Sequence, residues 1–510
     1  MMQKQFKRIN DYRGKMSQPG VLLASVLIVL ITMTGCNKWL DIQPKSDVAA
    51  DELFTTEAGF EEALNGVYIR LASTDLYGAE LTTGLPDVMA QDYTLSTQID
   101  PWSYLKTEKF DFKDADFIAR RDNIWSGLYN GIVNLNLILE HLEGHEQLFS
   151  GNHYNLIKGE ALGLRAYLHF DLFRLFGSSV ISNGAQGIPY VTTYSNKVTK
   201  TSSPAEVMEA IEKDLTAAKG LLAGTDPIQT AAYVVDYPGS DSATENTDPS
   251  LFMQMRRNRF NYYAVMATLA RVYLYDQKKT EALASAMEVI QTAKFPWTRQ
   301  EDFLNTDPEK QDLLLYKEVI FGWYAPWSVS ELRSRFETGS AGLFLSKEDA
   351  ARIYETSGVG GEDLRFKRWL QVAVDGNLEL QKYARNPDGD EDDLSSNFYP
   401  QTLPAIRLSE MYYIAAEASF DQDKQKALSY VDSVRVHRGI GQPFTATDKN
   451  QFISALIREA RKEFLGEGQV FYMYKRLNQP IQGHAGTQIP ASPSVFVLPL
   501  PDNEIEFGHR

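Results

Sequence analysis

The amino-acid sequence predicts an all-α fold: a tetratricopeptide-like scaffold of helical hairpins with a loop-rich flank and a few short strands. Three observations carry this. Apolar residues recur at helical spacing in nine segments. Several of these segments succeed one another with short connections, as helix hairpins do. Strand-like runs are few and no longer than four residues.

The first element is a helix face shared by Phe60, Ala63, Leu64, Val67, Tyr68 and Leu71. Thr56 is its N-cap, and Glu57 stands in the first turn, where the helix dipole favours an acid. Trp125, Leu128, Tyr129, Ile132, Leu135, Leu139 and Leu142 form a second stripe ending near Gly144. Ile157, Ala161, Leu164, Leu168, Leu172 and Leu175 form a third, ending at Gly177. The fourth, from Val207 to Leu222, starts behind Ser203-Pro204, a cap followed by Pro in the first turn. A fifth stripe runs from Tyr263 to Leu274 and a sixth from Leu283 to Ile290. Leu408, Met411, Tyr412 and Ala415 begin a seventh, Leu428 and Val431 an eighth, and Phe452, Leu456, Ala460 and Phe464 a ninth. Segments 125–142 and 154–175, 263–274 and 280–292, and 408–420 and 424–437 make consecutive pairs.

Strand signals are Val180-Ile181, Ile188 to Val191, Val319 to Phe321 and Val495 to Leu498. Long irregular segments cover about 76–115, 224–256, 296–402 and 466–495, lengths that in a compact body usually mean function. Asp236 to Ser250 is polar and reads as a surface insertion. No linker separates independent domains, so residues 51–510 read as one body.

The amino terminus is different. Lys4, Lys7, Arg8, Arg13 and Lys15 precede an apolar run from Val21 to Met33, too short for a membrane-spanning helix. This is the layout of a secretory signal over residues 1–35. Cys36, the one cysteine in the chain, comes after Gly35 and reads as a lipidation site with a tether over 36–50. Two or more acyl chains on Cys36 make a stable anchor. The single cysteine also excludes an internal disulfide. Removing residues 1–35 takes away five positive charges and one negative, so the net charge of -16 becomes -20. A body this acidic does not have the footprint of a nucleic-acid binder.

Catalytic signatures are missing. There is no P-loop, GxGxxG or GxSxG. His141 and His145 flank Glu143 at a helix end, but the His-Glu-x-x-His order of zinc proteases is absent, and a solvated helix end explains them better. Asp388 to Asp393 resembles the start of a calcium loop, but Asp393 stands where the turn glycine belongs. It reads as a charged surface loop. No cofactor is called for, and a structural calcium ion is left open.

Aromatic residues carry the binding signal. Trp102 lies in Asp100-Pro101-Trp102-Ser103-Tyr104, and Trp323, Tyr324 and Trp327 lie in Gly322-Trp323-Tyr324-Ala325-Pro326-Trp327. Rings on Pro-containing loops present flat apolar faces at low ordering cost, matched to the C–H face of a sugar or to a peptide side chain. Trp102, Tyr104, Trp323, Tyr324 and Trp327 are therefore the candidate ligand platform. The alternative is that these rings staple loops to the helical body.

A series of ordered motifs gives a resemblance. Trp39 to Pro44 comes after Cys36, and Phe54-Thr55-Thr56-Glu57 enters the first helix. Lys158 to Leu172, Arg174-Leu175-Phe176-Gly177 and Gly187 to Val191 come next. Arg407 to Ala418, Arg458 to Phe464, and Leu498 to Pro501 with Glu504 complete the series. In this order and spacing the chain resembles the SusD/RagB family of surface nutrient-binding lipoproteins, partners of SusC-like, TonB-dependent outer-membrane transporters. The resemblance implies four tetratricopeptide-like units and a hinged lid over the transporter barrel, with no catalytic centre. It also implies that Arg165, Asp171, Arg407 and Glu417 satisfy buried partners. The expected function is capture of an extracellular nutrient, an oligosaccharide in preference to a peptide, at the cell exterior. A surface lipoprotein hydrolase and a purely structural helical-repeat adaptor are the alternatives.

Overall fold

Eleven helices of eight or more residues, counted among the described residues, build the molecule. The computed structural model describes residues 52–182, 184–386 and 397–508. The leader, Cys36 and the tether lie outside them, as does the acidic stretch 388–393. Thr56–Arg510 forms one compact unit. All eleven helices belong to the unit Thr56–Arg510.

The helices are α1 (Glu57–Leu71), α2 (Ala115–Leu142), α3 (His153–Phe176), α4 (Pro204–Leu222), α5 (Tyr262–Tyr275) and α6 (Lys279–Gln291). They continue with α7 (Val329–Phe336), α8 (Leu408–Ser419), α9 (Lys424–His437), α10 (Lys449–Glu463) and α11 (Val470–Leu477). Their starts are set by local chemistry. Thr56 Oγ1 accepts the Gly59 amide at the head of α1. Ser203 and Glu206 form a reciprocal capping box at α4, with Pro204 in the first turn. Asp114 caps α2, which begins well before the Trp125 stripe because Phe117, Arg121 and Ile124 extend its buried face.

From α1 to α6 each helix packs on the next, α8 packs on α6 and α9 on α8. These eight make four hairpin-sized pairs in a row, the tetratricopeptide-like scaffold. The buried face is continuous: α3 alone buries nineteen of its residues. Arg165 is bidentate to Asp214 at 2.8 Å, Glu417 to Arg476 at 2.6 Å, and Arg407 reaches Glu463 and Glu467. Asp171 holds Arg174 and the Tyr77 hydroxyl. Buried charges persist only when paired in this way.

The structure corrects several expectations. Val180-Ile181 is a turn, because the chain bends straight out of α3 at Gly177. Val495 to Leu498 is not a strand: Pro493 starts a helical turn, Pro493–Phe496, and Leu498 N–H then donates to Leu175 O of α3. The segment 466–495 contains α11, two turns that a sequence window of this length does not reveal. Asp236 to Ser250 is not simply a surface insertion, since Glu245 is buried and bidentate to Arg257. Strand pairing is also longer than expected. Strand β1 (Val319–Tyr324) pairs antiparallel with β2 (Thr402–Arg407), so Trp323 lies opposite Leu403 and Tyr324 opposite Thr402.

Candidate functional site

Strand β1 delivers the central aromatic group. Its first five residues are buried and Tyr324, at its end, is not. Gly322 is required here by close approach: a Cβ would meet Thr402 Cγ2 of β2 at 2.5 Å. Trp323 points inward and stacks on Tyr77 with centroids 4.5 Å apart and planes 10° apart, while Phe321 meets its edge at 4.8 Å. It is thus no loop residue, and its ring is locked from several sides. Ala325-Pro326 then turns the chain into one turn of 3-10 helix carrying Trp327. Trp327 Nε1 donates to Ala72 O, just past the end of α1, at 2.9 Å.

These three rings line one groove, with about 370 Å³ of water-accessible space. The other wall comes from α1, through Asn65, Tyr68 and Ile69, from Ala72 just past its end, and from 251–259, through Leu251, Gln254, Met255, Asn258 and Arg259. Four large apolar side chains stand open to solvent here: Ile69 at 59%, Leu251 at 82%, Tyr324 at 45% and Trp327 at 44% exposure. A cluster of this kind on one concave surface marks an interaction site.

The base of the groove is polar and rigid. Tyr68 Oη donates to Glu160 at 2.8 Å and accepts the Phe260 amide at 2.7 Å. Burial, with Glu160 beside it, pushes the Tyr68 phenol well above its usual pKa. Glu160 is fully buried. Burial alone would raise its pKa, but the guanidiniums of Arg259 and Arg256 outweigh that and hold it below the usual range. Arg256, which follows the left-handed Met255 (φ 47°), also grips Asp226. Arg259 donates from Nη1 to Asn65 Oδ1 at 2.8 Å and packs under Phe252. Its Nη2 and Trp323 Nε1 are buried and make no hydrogen bond among the described residues. Among the described residues, no carboxylate lines the groove.

The sequence groups five rings as one platform; the structure divides them. Trp323, Tyr324 and Trp327 share the groove, with Trp323 as buried floor. Trp102 and Tyr104 do not line it. Tyr104 is buried, its hydroxyl donating to both oxygens of Glu80 and accepting from Arg335 Nη1 at 3.0 Å. Burial raises its pKa. The Arg335 guanidinium lies over the Trp102 ring at 4.8 Å, and Arg120 donates to the Trp102 carbonyl at 2.7 Å. This pair staples the 100–105 turn to α2 and α7. Trp297 is likewise a staple, stacked on His437 at 4.3 Å. Ile69 and Leu251 escape the sequence reading. Their signal is present all the same: Ile69 falls off the apolar stripe of α1, and Leu251 is apolar after a polar run.

Known proteins share this architecture. Residues 38–234 match the model of a SusD-like family described as starch-binding and associating with the outer membrane, and residues 374–491 match that of the SusD family. SusD-like protein P2 of Formosa agariphila is 22% identical over 94% of this chain and 96% of its own. A SusD superfamily protein from Bacteroides thetaiotaomicron superposes with a TM-score of 0.68 at 22% identity, covering 89% of this chain and 98% of that one. Surface glycan-binding protein A of the same bacterium, solved with laminarihexaose, gives a TM-score of 0.65 at 17% identity, over 89% and 98%. Likeness at these identities is likeness of fold.

Proposed function

This chain belongs to the SusD/RagB family, and from that membership we propose that it captures an extracellular oligosaccharide and delivers it, as a lid, to a SusC-like TonB-dependent transporter without chemical change. Lipid on Cys36 would hold it to the outer membrane, facing outward. The observation that carries this reading is the groove, where the exposed rings of Tyr324 and Trp327 and the exposed side chains of Ile69 and Leu251 line one concave surface. Flat rings fit the C–H faces of sugar rings. Lid closure requires the ligand to bind the closed state more tightly than the open one, which contacts from both proteins would supply. The glycan-bound relative supports a sugar over a peptide.

The test is calorimetry of the full lipoprotein in detergent against an oligosaccharide panel that begins with laminarihexaose. Saturable binding without product release is expected. Trp327→Ala or Tyr324→Ala should weaken it about tenfold or more, that is by ~1.4 kcal/mol. Trp102→Ala should leave it unchanged. Equal affinity of all three variants would move the site elsewhere, and release of shortened sugars would make the protein a hydrolase.

A further inference from the structure

We propose that Glu57, Glu61 and His153 form a binding site for one divalent transition-metal ion, with Zn²⁺ the best fit. The site stands independently of the sugar groove. Its donors come from two helices: Glu57 and Glu61 lie one turn apart at the start of α1, and His153 opens α3. One ligand atom of each lies within 4.8 Å of the other two. His153 Nδ1 is 3.4 Å from Glu61 Oε1 and closer still to Glu57 Oε1. Donors bonded to zinc at ~2.0–2.2 Å sit about 3.3–3.6 Å from one another in a tetrahedron, so small side-chain adjustments complete the set.

A second observation separates this group from an ordinary acidic cluster. His153 Nδ1 lies between the Glu57 and Glu61 carboxylates, within ion-pair distance of both, but its hydrogen-bond alignment with either is poor. An imidazole nitrogen that faces two carboxylates out of line for donation has the disposition of a ligand atom. The two acids are themselves crowded. One oxygen of each lies within 4.8 Å of the other. A divalent cation would relieve the crowding and give that nitrogen a directed bond in place of two poorly aligned contacts.

The surroundings are those of a prepared site. Ser150 donates its amide to Glu57 Oε2 at 2.9 Å and its hydroxyl to Oε1 at 3.0 Å, which fixes that carboxylate from outside the ligand set. The Phe252 ring walls the imidazole at 5.6 Å. The three side chains are 16–24% exposed, so an ion can enter and a fourth position stays open to solvent. One imidazole with two carboxylates favours Zn²⁺ over Ca²⁺ or Mg²⁺, which take oxygen-only shells. The ion would tie the head of α1 to the head of α3, and α1 also carries Asn65 and Ile69 of the groove.

The experiment uses the full lipoprotein, stripped with chelator and titrated with ZnCl₂. One equivalent should bind, and excess Ca²⁺ should not displace it. Glu61→Gln and His153→Gln should each weaken uptake at least about tenfold, with unchanged far-ultraviolet circular dichroism. X-ray absorption of the zinc-loaded wild type, which depends on no variant folding, should show one imidazole and two carboxylates. No uptake at millimolar Zn²⁺, an all-oxygen shell, or uptake undiminished in both variants would overturn the proposal.

Discussion

Removing the charge of Glu160 tests how the floor of the groove is held. Glu160 is fully buried and serves three partners at once: Arg256 Nη1 at 2.6 Å, Arg259 Nε at 3.1 Å and the Tyr68 hydroxyl at 2.8 Å. Glu160→Gln keeps the shape, removes one negative charge between two guanidiniums, and turns an amide donor toward donors. Arg256 retains Asp226, but Arg259 loses the carboxylate it pairs with. Breaking a buried pair from one side costs about 3–5 kcal/mol. The retained Asp226 contact places the expected loss toward the lower end, about 3 kcal/mol. Urea unfolding tracked by circular dichroism measures it, as a lower midpoint at unchanged slope. The pH dependence gives an independent reading. A carboxylate with a depressed folded pKa stabilises above its unfolded value near 4.5, and that stability is lost as pH falls through the folded value. Wild type should therefore lose stability on acidification, and Glu160→Gln should lose less of it. A variant within about 1 kcal/mol of wild type, with the same acid profile, would refute the idea that Glu160 neutralises the groove floor.

Three further outcomes are expected. His484 donates to Asp349 at 2.8 Å and pairs with Glu108 at 3.0 Å; burial lowers its pKa, but these acids outweigh it and raise it to about 9. Its contribution is complete below about pH 6.5 and fades as pH rises through about 9, so thermal scans across this range should show a decline that His484→Gln lacks. Gly322→Ala forces a methyl group against Thr402 Cγ2 at 2.5 Å and should cost about 1–3 kcal/mol in urea unfolding, with a tilted Trp323 visible as altered tryptophan emission. Combining Ile69→Ser with Leu251→Ser should weaken oligosaccharide affinity while leaving stability within about 0.5 kcal/mol, because both side chains are open to solvent.

The helices are legible because their signals are local. Thr56, Ser203-Pro204 and Gly177 mark helix ends through hydrogen bonds made within a few residues, and the apolar spacing of α1 to α6, α8, α9 and α10 repeats over several turns. Helix α11 is not legible, since two turns provide too short a period. Strand β1 extends past its apolar run because its partner β2 lies far along the chain, and nothing near Trp323 announces that pairing. The same is true of Glu245, a polar residue in a polar stretch that becomes buried through Arg257.

The residue order alone determined the helical class, the leader-like layout ahead of Cys36, the lack of catalytic motifs and the aromatic composition of the 322–327 segment. Tertiary structure decided which rings face solvent. Trp102 and Trp327 look alike in sequence, each a tryptophan after proline in a short turn. One lies under Arg335 and the other forms a groove rim with Ile69 and Leu251. The physical reason is that a ring's exposure depends on what packs over it, and those neighbours come from segments far away in the chain.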